Sequence, residues 1–107
     1  VIQVILDNLI LNSIQQNDEI QLLNIFISAM KNDGKIEFEY RDSGKGLDDK
    51  YLTNPRKILE VHETTRKKGH GLGMWIVNNT CIMSGGEVQD IKGEKGFYIK
   101  FTLGGKI

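Results

Sequence analysis

Ile36-Glu37-Phe38-Glu39-Tyr40-Arg41-Asp42-Ser43-Gly44-Lys45-Gly46 is the stretch that decides the fold. Ile36, Phe38 and Tyr40 alternate with Glu37, Glu39 and Arg41, the period of two expected of a strand with one buried and one wet face. The strand delivers Asp42 to a glycine-rich segment at its end. Just upstream, Asn32-Asp33-Gly34-Lys35 is a hairpin signal, because an Asp-Gly pair tolerates the positive φ that a tight two-residue turn demands. Its partner strand is then Leu22 to Met30, which reads as extended and largely buried, although Leu22-Leu23-Asn24-Ile25-Phe26 also fits a helical period.

Further outward, Val1, Ile2, Ile5, Leu6, Leu9, Ile10 and Ile14 recur at helical spacing through Val1 to about Gln16, and Asn17-Asp18 is a stop. Asn8, Asn12, Gln15 and Gln16 form a polar stripe on this apolar helix. Downstream, Leu47 to Lys68 is irregular: Asp48-Asp49, the single proline Pro55, an apolar pair at Ile58-Leu59, then Thr64-Thr65-Arg66-Lys67-Lys68. A loop of that length in a small domain usually carries function. Leu72, Trp75, Ile76, Asn79 and Met83 predict a second helix stopped by Gly85-Gly86, with Trp75, Cys81 and Met83 as core. Glu87 to Ile91, a turn over 92–96, and alternating Phe97, Ile99, Phe101 and Leu103 predict a terminal hairpin. The expectation is an α+β two-layer domain over 1–107, its mixed or antiparallel sheet covered on one face by helices.

Composition narrows the function classes. A chain of 107 residues supports one core. Fourteen basic and fourteen acidic residues cancel, so no global field draws in nucleic acid or an anionic membrane, and an anion must be recognised locally. Cys81 is the single cysteine, which excludes an internal disulfide and a cysteine-based metal cluster and suits the cytoplasm. Apolar runs such as Ile25-Phe26-Ile27 are far short of the roughly 20 residues that span a bilayer. The chain opens at Val1 directly in an amphipathic helix, as expected of a piece of a longer protein, whose other parts are free to include a membrane anchor.

Three constellations carry chemistry. Asparagine disfavours helix interiors by up to about 0.7 kcal/mol, so Asn8 and Asn12, one turn apart, call for a reason. A hard amide oxygen suits Mg²⁺, which takes few protein ligands beside water and phosphate, and the alternative is a pair that faces solvent or ties down a loop. Asp42 at a strand end can accept from the exocyclic amine of adenine, with Gly44 and Gly46 taking positive φ and admitting a flat base; the bland alternative is an Asp-Ser-Gly turn. Gly69, Gly71 and Gly73 run into a helix whose first amides are unsatisfied, a phosphate site beside the Arg66, Lys67 and Lys68 cations. Glycines alternating singly make neither a Rossmann nor a P-loop pattern.

The ordered trio resembles the nucleotide-binding domain shared by histidine kinases, type II topoisomerases, a heat-shock chaperone and mismatch-repair ATPases, the Bergerat fold. Asp7-Asn8-Leu9-Ile10-Leu11-Asn12-Ser13 resembles its asparagine box, Asp42-Ser43-Gly44-Lys45-Gly46 its first glycine box, and Gly69-His70-Gly71-Leu72-Gly73-Met74-Trp75-Ile76-Val77 its second. The resemblance implies ATP and Mg²⁺ as ligands, Asn12 on the metal, and Asn8, Asn12, Asp42, Gly44, Gly46, Thr65, Gly69, His70, Gly71, Leu72 and Gly73 around the nucleotide. It implies catalytic roles for Asn8, Arg66 and Lys67, and a mobile lid over the triphosphate. Asn8 stands where hydrolysing branches carry a glutamate base; an amide takes no proton at neutral pH, which favours phosphoryl transfer by a sensor histidine kinase. The implied partners are the histidine-containing dimerisation domain of the parent kinase and a response regulator. Rival readings are an ATP-hydrolysing module and a nucleotide-binding regulatory pseudokinase. Gln15 and Gln16 replace a basic and an aromatic residue common in histidine kinases, and Phe97 follows Gly96 where a threonine is frequent. His62-Glu63-Thr64-Thr65 looks like a phospho-accepting box but lies in the lid without helical heptads, and is not read as one.

Overall fold

In a computed structural model of the chain, the residues described are 1–19, 22–60 and 73–104. Helix α1 (Ile2–Gln16) is followed by strands β1 (Ile25–Asn32) and β2 (Lys35–Asp42), a short helix α2 (Asp49–Leu52) and a 3₁₀ turn (Pro55–Leu59). Helix α3 (Gly73–Met83) and strands β3 (Glu87–Lys92) and β4 (Tyr98–Gly104) complete it. The four strands form one antiparallel sheet in the order β1-β2-β4-β3.

The β1–β2 hairpin turns on Asp33 and Gly34, with φ of 48° and 76°, the left-handed pair that a two-residue turn needs. That turn fixes the register from Ile25 opposite Asp42 to Asn32 opposite Lys35. Strand β2 then lies against β4, with Phe38 opposite Phe101 and their rings stacked at 5.2 Å. Inward residues of β2, β4 and β3 meet Ile5 and Leu9 of α1 and Met74, Val77 and Cys81 of α3 in one core. The opposite face is polar on β2, whereas β1 places Phe26 and Met30 on it, opposite Arg41 and Glu37. There Lys100 pairs with Glu37 at 2.7 Å, and the Tyr98 hydroxyl donates to Glu39 at 2.6 Å.

Three expectations need correction. Strand β1 is not largely buried: it begins at Ile25 rather than Leu22, is an edge strand, and leaves Phe26, Ile27 and Met30 exposed. Its apolar composition reads as burial in the sequence, but among the described residues it pairs with β2 alone and its side chains beyond Ile25 are exposed. The irregular stretch from Leu47 is held down as far as residue 59, since α2 and the 3₁₀ turn bury Tyr51, Ile58 and Leu59 in the core. Trp75 and Met83 are not core: Met74, Val77 and Cys81 face inward at i, i+3 and i+7, while Met83 is 80% exposed. Helix α3 is apolar nearly all round, so its period does not choose a face.

Candidate functional site

Ile5, Leu9 and Ser13 lie at i, i+4 and i+8 on the buried face of α1, so the third position of an apolar row is filled by a hydroxyl that must find partners. It finds them on β2. Ser13 Oγ donates to Asp42 Oδ2 at 2.7 Å and lies 2.6 Å from the Tyr40 hydroxyl, which also reaches the Leu9 carbonyl at 3.1 Å. Burial pushes the Tyr40 phenol up to about 12, the Ser13 bond pulling it back and the Asp42 charge pushing it further up. It stays a neutral donor at physiological pH.

Asp42 is the most fully hydrogen-bonded carboxylate among the described residues. It is 2% exposed, at the last position of β2, and its Oδ1 accepts from the Gly44 and Phe97 amides at 2.9 and 3.0 Å. The Asp42 amide in turn donates to the Phe97 carbonyl at 2.9 Å, so the approach to β4 and the start of the first glycine segment are tied to the same residue. The Asp-to-Gly44 bond is the turn expected as the bland alternative, and it coexists with an acceptor oxygen, Oδ2, outside that turn.

The glycine segment is clamped from two sides. Asn17, buried at the C-terminal end of α1, accepts from the Lys45 amide at 2.9 Å through Oδ1 and donates to the Ser13 carbonyl at 2.8 Å. Gly46 has φ of 79°, as expected, but Gly44 is not among the positive-φ glycines; its reason is space, because a Cβ there would overlap the Asn17 amide. Gly96 has φ of 81° and would drive a Cβ into the Asp42 carbonyl oxygen, so the segment before β4 has to be glycine at that point.

Asn8 and Asn12 are half-buried on α1, one turn apart. The Asn8 amide nitrogen donates to the Val4 carbonyl at 2.8 Å, and no described residue bonds the Asn12 side chain. Among the described residues neither asparagine ties down a loop; that task falls to Asn17. Helix α3 begins at Gly73. The expected site residues Thr65, Arg66, Lys67, Gly69, His70, Gly71 and Leu72 lie outside the described residues, as does the part of the expected mobile lid, about Tyr51 to Lys68, beyond residue 60; its first part packs on the core through Tyr51, Ile58 and Leu59. The structure ties Asp42 and the first glycine segment to α1 through Ser13 and Asn17, and it sets Asn8 and Asn12 on that same helix with no bond to Asp42, Gly44 or Gly46. It adds Ser13, Asn17 and Tyr40, of which the polar member of the apolar α1 row and the inward-facing hydroxyl of β2 were visible in the pattern.

Asp42, a buried acceptor at the end of β2, is thus held against α1 by Ser13, and the glycine segment that follows it by Asn17. The family model described as histidine kinase-, DNA gyrase B-, and HSP90-like ATPase matches residues 1–106. The chain belongs to this family. Among curated members, sensor histidine kinase ZraS of Escherichia coli strain K12 and that of O157:H7 are each 32% identical over 101 residues, covering 94% of this chain and 20% of theirs. The chain therefore spans about a fifth of the length of the curated relatives it matches. Among solved structures, the mycobacterial sensor histidine kinase MprB superposes with a TM-score of 0.74 at 20% identity, covering 94% of this chain and 68% of that one. A nucleotide-free form of the catalytic domain of histidine kinase ThkA gives 0.72 at 23%, covering 96% and 64%. These likenesses establish the fold: an α+β domain whose sheet and helices match histidine kinase catalytic domains. No described helix is long and apolar enough to cross a membrane.

Proposed function

We propose that the chain, over residues 1–107, is the Mg-ATP-binding catalytic domain of a cytoplasmic sensor histidine kinase segment, donating the terminal phosphate of ATP to a histidine on a separate dimerisation domain. The observation that carries this reading is the Asp42 carboxylate, buried at the end of β2 with Oδ1 saturated by two amides and Oδ2 retaining acceptor capacity. Such an oxygen takes an amine hydrogen and repels a carbonyl, which selects adenine over guanine at the purine 6-position. Gly44, Gly46 and Gly96 keep side chains out of the backbone around it.

The family's ligands fit the chain's donors. The Asn12 amide oxygen, without a partner among the described residues, is the group that would hold Mg²⁺ together with phosphate oxygens. When bound, the ion neutralises phosphate charge. Thr65, Arg66, Lys67, Gly69, His70, Gly71, Leu72 and Gly73 are proposed for the phosphates and their closure. Asn8 favours the kinase reading over hydrolysis, since its amide is bonded to its own helix and cannot serve as a general base. A response regulator would receive the phosphate downstream. Titration calorimetry with Mg-ADP and Mg-GDP tests the core of this reading: binding of ADP and rejection of GDP are expected, and equal affinity removes the adenine assignment.

A further inference from the structure

We propose that Ser13 and Tyr40 are positioning residues for base selection, aiming the one remaining acceptor position of Asp42 by a directed chain of hydrogen bonds. The inference rests on the nucleotide reading above and deepens it. A carboxylate offers about four acceptor positions. Two on Oδ1 are taken by the Gly44 and Phe97 amides and one on Oδ2 by Ser13, which leaves a single position on Oδ2.

The direction of the chain follows from counting protons. Ser13 and Tyr40 have one hydroxyl hydrogen each. If Ser13 donated to Tyr40, its oxygen would face Asp42 Oδ2 across 2.7 Å with no hydrogen between two acceptors, a costly arrangement at a buried site. The single Tyr40 hydrogen, for which the Leu9 carbonyl at 3.1 Å competes, therefore goes mainly to Ser13 across the shorter 2.6 Å, and Ser13 donates to Asp42. Tyr40 has a second effect. A helical serine can turn its hydroxyl to the carbonyl four residues back, here Leu9, and the Tyr40 hydroxyl already stands 3.1 Å from that oxygen. It supplies a hydrogen to Ser13 and crowds the serine's alternative acceptor.

Base selection depends on this pinning. A 6-oxopurine carries a hydrogen on its neighbouring ring nitrogen, so an Oδ2 with two open positions could accept from that nitrogen instead of from an exocyclic amine. With Ser13 in place only one direction is open. Removing the Ser13 hydroxyl opens the second, and removing the Tyr40 hydroxyl lets Ser13 divide its hydrogen between Asp42 and Leu9.

The test is titration calorimetry of the parent chain, Ser13→Ala and Tyr40→Phe with Mg-ADP and Mg-IDP, whose hypoxanthine has a 6-oxo group. The parent is expected to favour ADP by roughly 10- to 100-fold, the ratio to narrow by about tenfold in Ser13→Ala, and Tyr40→Phe to fall between. A purely structural role would weaken both nucleotides together and leave the ratio at the parent's value; that result in both variants overturns the proposal. Binding of neither nucleotide by the parent is a different failure, that of the nucleotide reading, and the proposal falls with it. Should Ser13→Ala not fold, the Tyr40→Phe ratio decides alone.

Discussion

Asn17 Oδ1 accepts the Lys45 amide at 2.9 Å, joining the last turn of α1 to the first glycine segment across 28 residues of sequence. The same side chain donates to the Ser13 carbonyl at 2.8 Å, so one buried amide satisfies a helix-end acceptor and a loop donor at once. Asn17→Ala strands both groups and is expected to cost about 2 kcal/mol of unfolding free energy, read from urea denaturation. Gly44→Ala should also destabilise, because its Cβ would overlap the Asn17 amide. In the Asn17→Ala background that cost should shrink, and a double-mutant cycle with no coupling would dissolve the clamp.

Gly96→Ala is a second stability prediction. With φ of 81° and the Asp42 carbonyl in the path of any Cβ, the change is expected to cost roughly 1–3 kcal/mol and to displace the carboxylate of Asp42. Both losses should appear in one variant: a lower denaturation midpoint and weaker ADP binding. Parental stability in Gly96→Ala would show that the backbone there relaxes freely.

How legible all this was in the sequence differs from element to element. Strand β2 alternates cleanly because its two faces see a core and water, so Asp42 and its hairpin could be placed from pattern and turn chemistry alone. Strand β1 could not, since exposed apolar residues on an edge look the same as buried ones. The inward face of α3 was hidden by apolar residues all round it. Asn17 read only as a helix stop, because the partner that gives it a purpose, Lys45, is remote in sequence. Ser13 and Tyr40 left a trace, a hydroxyl in each of two buried rows, but only the fold shows that the rows meet.

Alkaline pH should destabilise the fold through buried weak acids. Burial pushes the Cys81 thiol from 9.0 to about 12, and Tyr40 rises from 10.0 to about 12. Raised folded-state values mean that the folded chain holds these protons more tightly. The associated stability is complete below about pH 9 and is lost as pH climbs from there through about 12. Denaturation midpoints across that window should fall, and Cys81→Ala should delay the onset towards pH 10, where the tyrosine begins to contribute. An onset unchanged in Cys81→Ala would assign the early loss elsewhere.

Magnesium removal separates the two asparagines. If the Asn12 oxygen holds the ion, chelating magnesium should weaken ADP binding by the parent, and Asn12→Ala should already show that weakened value and respond little to chelation. Asn8, whose amide nitrogen is bonded to Val4, should leave the magnesium dependence intact when changed to alanine. Calorimetry with and without chelator gives both differences. An equal magnesium effect in Asn12→Ala and the parent would remove Asn12 from the metal.

The isolated chain is expected neither to hydrolyse ATP appreciably nor to label itself, yet to phosphorylate a histidine on its parent's dimerisation hairpin supplied in trans. Hydrolysis needs a group that takes a proton from water, and the amide of Asn8 takes none. Self-labelling would need His62 or His70 to attack in line, with nitrogen about 3 Å from phosphorus and opposite the leaving oxygen. Both histidines sit within a few residues of Arg66 and Lys67, the cations proposed to hold the same phosphate, and one short segment can hardly clamp a phosphate and attack it from the far side. A separate helix has no such conflict. Incubation with labelled ATP, alone and with the hairpin, should give acid-labile, base-stable phosphate only in the mixture. Label on His62 or His70 of the isolated chain, or hydrolysis that survives Asn8→Ala, would turn the reading from a kinase module to another member of the family.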